Sequence, residues 1–292
     1  MNPLELVNLA PLMKRTSGRP EMRIALIDGP IAMNHPELAG QNIRQVAGKA
    51  AALCSRTDSI ACSHGTFVAG ILFGKRNSGA PAICPDCTLL VCPIFPETVS
   101  ANEDMPSAEP EELASAIVDS VNAGARIINL SAALTHPSAA GERELGSALD
   151  YAGRHNVIVV AAAGNQASIG SSTITRHPWV LPVMACDLQG RPSARSNMGN
   201  SIGRNGLMAP GEDITSLGPD NKAQTSSGTS AAAPFVTGAI ALLWSEFPST
   251  PAPAIKLAIR GNDKPRRVVV PPLLDAWAAY QSMAASPARC AS

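Results

Sequence analysis

Aromatic side chains make up only 3% of this sequence, and its 23 lysines and arginines are balanced by 23 aspartates and glutamates. Proteins that hold single strands or phosphate backbones rely on stacking rings and a basic surplus, so no nucleic-acid partner is expected. Long apolar runs are missing as well. The longest, residues 157–163 and the stretch around 239–244, fall well short of the roughly 20 residues that cross a bilayer, which predicts no membrane association. Residues 1–20 carry Glu5, Lys14 and Arg15 among proline breaks and lack the basic start and continuous apolar segment of a secretory signal. The expectation is therefore a cytoplasmic protein. No stretch reads as a linker between independent cores, so one domain is expected over residues 23–285, after an N-terminal extension of residues 1–22 and before a tail of residues 286–292.

Cysteine is not scarce, but its pattern is irregular. An odd total of 7 leaves bridges, a metal clip and small buried hydrophobes all open, the last being favoured in a reducing compartment. Cys54 with Cys62 and Cys84 with Cys87 are near enough in sequence to be bridge candidates. A single C-x-x-C without a second pair is a weak zinc signal, and neither a metal nor a cofactor is expected.

What is present is a set of short apolar runs. Residues 23–28 (Arg-Ile-Ala-Leu-Ile-Asp) stop at Gly29-Pro30, as a strand buried on both faces and ended by a turn would. Residues 88–94, 125–130, 157–163 and 179–185 have the same character. Between several of them lie helical periods, with Leu113, Ile117 and Val121 in one and Leu145, Leu149 and Ala152 in another. Such alternation predicts an α/β fold with a mostly parallel central sheet and helices on both faces. Residues 190–228 are rich in Gly, Ser, Asn and Pro and read as loops and short strands. An apolar helix follows over about 229–247, and its Pro234 is expected in the first turn, where a missing N–H costs nothing.

Four polar residues sit where these elements end or begin. Asp28 closes a strand, His64 opens a helix whose Gly65 and Ala69 allow close packing, Asn165 follows a strand through Gly164, and Ser230 stands at the start of the last apolar helix. Singly, each has an ordinary structural explanation as a turn former or a cap. Together they supply a nucleophile, a base, a carboxylate to orient the base and a donor to an oxyanion. The chain order Asp, His, Ser is one of three unrelated orders known for this constellation.

At these residues the chain resembles the subtilisin-like peptidase family. Ile27-Asp28-Gly29 is similar to its Asp block, His64-Gly65-Thr66-Phe67-Val68-Ala69-Gly70 to its His block and Gly228-Thr229-Ser230-Ala231-Ala232-Ala233-Pro234 to its Ser block, while Ala162-Ala163-Gly164-Asn165 matches its oxyanion segment. The resemblance implies a three-layer fold and a serine endopeptidase that works through an acyl-enzyme on a peptide or protein substrate. It makes Asp28, His64 and Ser230 the catalytic residues and Asn165 the oxyanion donor. It also implies that Leu130, Ser131, Ala132 and Ala133 pair with the substrate backbone and that Ala163 and Gly164 wall the main specificity pocket. Where the family often has glycine, this chain has Ala133 and Leu134, which implies a reshaped cleft. Within the family, Leu26-Ile27-Asp28-Gly29-Pro30-Ile31, Cys84-Pro85-Asp86-Cys87 and Cys92-Pro93-Ile94-Phe95-Pro96 resemble the proteases that mature cyanobactin-type ribosomal peptides. Ring-closing members of that group carry a helical insertion between their Asp and His blocks. Here that interval is only residues 29–63, which implies hydrolysis rather than ring closure. Two alternatives remain, a peptide macrocyclase using the same three residues and a non-catalytic peptide-binding module.

Overall fold

The structure is a computed structural model and describes residues 2–46, 53–97, 108–131, 141–261 and 267–285. Its strands are β1 (Arg23–Asp28), β2 (Ile43–Gln45), β3 (Thr88–Pro93), β4 (Ile127–Leu130), β5 (Ile158–Ala162), β6 (Val180–Cys186), β7 (Leu207–Pro210), β8 (Ile214–Leu217) and β9 (Ala223–Ser226). Its helices are α1 (Pro3–Leu6), α2 (Leu9–Arg15), α3 (Ile60–Phe73), α4 (Pro110–Asn122), α5 (Glu142–Arg154), α6 (Thr173–Arg176), α7 (Asn200–Asn205), α8 (Thr229–Glu246), α9 (Ala252–Arg260) and α10 (Ala276–Ala285).

The apolar runs lack alternation because both faces of their strands are covered. In β1, Ile24 and Leu26 enter one hydrophobic cluster while Ala25 and Ile27 enter another on the opposite side of the sheet. β5 divides in the same way, Ile158 and Val160 against Val159 and Ala161. A pleat with a core on each side has no room for a polar face. Strands β1 to β7 form one parallel sheet in the order β2-β3-β1-β4-β5-β6-β7. Residues of α2, α3, α8, α9 and α10 fill the first cluster, and residues of α4 and α5 fill the second. This is the three-layer α/β arrangement that the sequence predicts.

The strand order decides where a site can form. From β1 the chain passes to β2 at one edge, comes back to β3 beside β1, then crosses to β4 on the far side of β1 and continues to the other edge. Winding reverses beside β1, and a crevice opens there at the carboxyl ends of the strands. Register brings those ends level, with Ile27 opposite Leu130 and Leu130 opposite Ala161.

The N-terminal segment packs into the same core. Val7, Leu9 and Leu12 are fully buried in the first cluster, and Arg15 pairs with Glu246 at 3.1 Å while lying over the ring of Tyr280. Of the two candidate cysteine pairs, Cys54 and Cys62 form a disulfide, whereas Cys84 and Cys87 are free, buried thiols. Burial, with a hydrogen bond that the Cys84 thiol donates to Cys87, raises the Cys84 thiol well above its usual range, so it remains a protonated small hydrophobe. No helix among the described residues is long and apolar enough to cross a membrane.

Candidate active site

Asp28 is the last residue of β1, and Gly29-Pro30 turns the chain away from the sheet because proline cannot donate to the ladder. The helix bearing His64 begins at Ile60 rather than at His64 itself. Ser59 is its N-cap and accepts from Cys62 N at 3.4 Å, so His64 lies in the second turn, with its ring directed by packing rather than by capping. Gly65 makes the approach possible, since a Cβ there would lie 2.5 Å from the carbonyl oxygen of Pro30. Thr66 Oγ1 accepts from Ala32 N at 2.9 Å and Ser63 Oγ donates to Gln224 at 2.6 Å, tying α3 to the chain after β1 on one side and to β9 on the other.

These contacts set His64 Nδ1 2.7 Å from Asp28 Oδ1. Asp28 is fully buried and also accepts from Gly29 N at 2.6 Å, while its Oδ2 has no hydrogen-bond partner among the described residues. An ionised carboxylate can only accept, so Nδ1 carries the proton and Nε2 is left as the basic nitrogen. Burial acts to lower the His64 pKa, and the charge and hydrogen bond of Asp28 outweigh it, leaving it raised above 6.5.

Ser230 is the second residue of α8, which starts at Thr229 behind Gly228. Its N–H has no carbonyl one turn back to bond with, and the positive end of the helix dipole adds to the pull on an anion. Pro234 falls in the second turn, not the first as the sequence suggests, because the helix opens at Thr229. Lacking an N–H, it leaves the Ser230 carbonyl without its usual partner. Among the described residues no hydrogen bond joins Ser230 Oγ to His64; such bonds are commonly long without substrate and tighten when it binds.

Asn165 leaves β5 through Gly164, and its Oδ1 accepts from Thr229 N at 2.8 Å and Thr229 Oγ1 at 3.1 Å. With its oxygen engaged there, the Nδ2 amide is the group available as a donor. Thr229 Oγ1 in turn accepts from Gly164 N at 3.1 Å. Sequence reasoning assigns Thr229 no role; beyond its place beside Ser230 it carries no signal, because its partners come from the turn after β5. Leu130 ends β4 and Ser131 follows it at the same end of the sheet. Ser131 Oγ accepts from Asn129 Nδ2, and Asn129 Oδ1 accepts from Thr237 Oγ1, each at 2.7 Å, which ties that end to α8. Ala163 and Gly164 line up beside it after β5, both buried. Ala132, Ala133 and Leu134 lie outside the described residues. The sulfurs of Cys54 and Cys62 and a Glu97 oxygen lie as close together as metal donors do, but the two sulfurs are bonded to each other and Glu97 accepts from Ser55 and Arg56 N–H groups at 3.0 Å.

The sequence profile of the subtilase family matches residues 20–266. Subtilisin amylosacchariticus of Bacillus subtilis subsp. amylosacchariticus is 31% identical over 235 residues, covering 78% of this chain and 56% of its own. The thermophilic serine proteinase of Bacillus sp. (strain AK1) is 32% identical over 233 residues, covering 79% of this chain and 54% of its own. The chain thus spans about half the length of these curated relatives. Among solved structures, a mutant protease domain of PatA superposes with a TM-score of 0.81 at 33% identity, covering 91% of this chain and 96% of that one. The prenylagaramide maturation protease PagA superposes with a TM-score of 0.79 at 30% identity, covering 94% and 98%.

Proposed function

The chain belongs to the subtilase family, and from that premise we propose that it is a serine endopeptidase whose catalytic residues are Asp28, His64 and Ser230. The observation that carries the reading is the His64–Asp28 contact of 2.7 Å with the carboxylate fully buried, since it sets the tautomer that a general base requires. In the proposed reaction His64 Nε2 takes the proton of Ser230 Oγ as the oxygen bonds to the scissile carbonyl carbon. The carbonyl oxygen becomes an anion, held by Asn165 Nδ2 and the N–H of Ser230. Collapse breaks the C–N bond, the amine leaves with the proton from His64, and water then resolves the acyl-enzyme by the same steps in reverse. Leu130 to Ala133 would pair with the substrate backbone, with Ala163 and Gly164 walling the pocket for the residue before the cut.

A fluorophosphonate probe tests the reading: it should label wild type at Ser230 only and leave Ser230→Ala unlabelled. Labelling elsewhere, or a fully active Ser230→Ala, removes the assignment.

The substrate class we propose is a ribosomal natural-product precursor peptide. Its support is the likeness to the PatA protease domain and to PagA, the latter a prenylagaramide maturation protease. Mass analysis of a peptide panel, with precursor peptides set against unrelated proteins of equal length, would reveal the preference. The compartment in this proposal is the cytoplasm, and the Cys54–Cys62 bridge weighs against it, because cytosolic thiols are mostly kept reduced. Alkylation of these cysteines in protein recovered from cells distinguishes a reduced cytosolic pair from a bridged exported one.

A further inference from the structure

Asn165 can serve an oxyanion only if the turn that carries it is held still, and one side chain outside every motif does this. Asn197 Oδ1 accepts from Gln166 N at 3.0 Å and from Ser168 N at 3.1 Å. Its Nδ2 donates to Ala163 O at 3.2 Å and to Gln166 Oε1 at 2.8 Å. Its own N–H donates to Gly164 O at 2.9 Å. Every one of these bonds goes to a residue flanking Asn165, before or after it, and none goes to Asn165. The backbone on either side continues the clamp, with Ala167 N donating to Arg195 O at 2.9 Å and Met198 N to Ser168 O at 3.0 Å. The turn needs holding: Gly164 has φ +104 and Ala167 has φ 52, both in the left-handed region, which costs a non-glycine residue such as Ala167 free energy. Gly164 is also where a Cβ would lie 2.3 Å from Asn197 Nδ2, so the clamp presses directly on the residue before Asn165.

We infer that Asn197 is a positioning residue for the oxyanion donor: it holds the 163–168 turn so that Asn165 Nδ2 points at the place where the anion forms. The inference rests on the reading of Asn165 under the proposed function. It predicts an effect on the chemical step that exists only while Asn165 is present; the bonds of Asn197 to Ala163 and Gly164, proposed walls of the pocket, would act on substrate binding and so appear in half-saturation instead. A residue that merely stabilised the fold would act alike in both backgrounds.

The experiment is a double-mutant cycle read by fluorophosphonate labelling of Ser230, in which the phosphoryl oxygen occupies the oxyanion position. Limiting rate and half-saturating probe concentration are measured separately, with the melting temperature as a check on folding. Asn165→Ala should slow the limiting rate by roughly 10² to 10³. Asn197→Ala should slow it by about 10- to 100-fold, the cost of a small misplacement, with half-saturation changed less than about twofold. The double variant should be no slower than Asn165→Ala alone. If Asn197→Ala does not fold, Asn197→Ser, which keeps a hydroxyl in the turn, takes its place in the same cycle. Equal losses from the Asn197 variant in both backgrounds, an effect confined to half-saturation, or no effect at all would overturn the inference. A full limiting rate in Asn165→Ala would instead bring down the reading of Asn165, and the inference with it.

Discussion

His64 is pulled two ways by its surroundings, and the balance can be read in a pH profile. Burial favours its neutral form, whereas the charge and hydrogen bond of Asp28 favour the cation and prevail. General-base catalysis needs the neutral ring, so activity should fall as pH drops through the His64 pKa, with the midpoint of that acid limb above 6.5. Asp28→Asn removes the stabilising charge and leaves the burial, so the limb should move to lower pH while turnover falls by about 10⁴. A limb that stays in place would mean another group titrates. Ser230→Ala and His64→Ala should each cost on the order of 10⁶ in turnover, and the double variant little more, because the residues act as one unit. These residues were legible in the sequence because only a few side chains can be nucleophile, base or orienting carboxylate. Thr229 and Asn197 were not, since an uncharged polar residue becomes meaningful only once it is known which turn it meets, and their partners lie at 164–165 and 163–168.

At the scale of elements, the approach of α3 to the exit of β1 is what turns an aspartate and a histidine into a pair. Gly65→Ala would put a methyl against the Pro30 carbonyl, 2.5 Å away, and backbone cannot yield as a flexible side chain does. Overpacking of this kind costs about 1 to 3 kcal/mol. The variant should melt lower and lose turnover out of proportion to that cost, as α3 moves off Asp28; an unchanged rate in a folded Gly65→Ala protein would sink the idea. The Cys54–Cys62 bridge ends in the first turn of the same helix and closes a loop with a sequence separation of 8. By loop entropy, removing it costs roughly 2 to 3 kcal/mol. Cys54→Ser with Cys62→Ala should accordingly lower the melting temperature and keep fluorophosphonate labelling, whereas loss of labelling in a folded variant would give the bridge a part in the chemistry. β1 and β5 were readable because burial on both faces leaves an unbroken apolar run. β2 was not: it has three residues, half-buried or exposed, and among the described residues its one sheet neighbour is β3. Strand order left no mark in the sequence either, because neighbours such as β1 and β4 are far apart along the chain.

For the molecule as a whole, the open question is what the acyl-enzyme meets. A tethered amine can outcompete water only if the ester is covered and dry, since water is concentrated and an unshielded amine has no lasting advantage of position. Between Asp28 and His64 the described residues hold β2, turns and the Ile31–Leu53 bridge, and no helix ahead of Ile60. Nothing in that described interval forms a helical cover over the crevice beside β1. The PatG macrocyclase shares the fold, with a TM-score of 0.78 at 23% identity, so the fold alone does not decide the outcome. We therefore predict that water resolves the acyl-enzyme and that linear peptides dominate. Mass spectrometry of a cleaved precursor reads the difference directly: after hydrolysis the fragment masses sum to the precursor plus one water, whereas ring closure leaves the sum unchanged. A preponderance of rings would mean that a part of the chain other than the described interval between Asp28 and His64 excludes water from the ester.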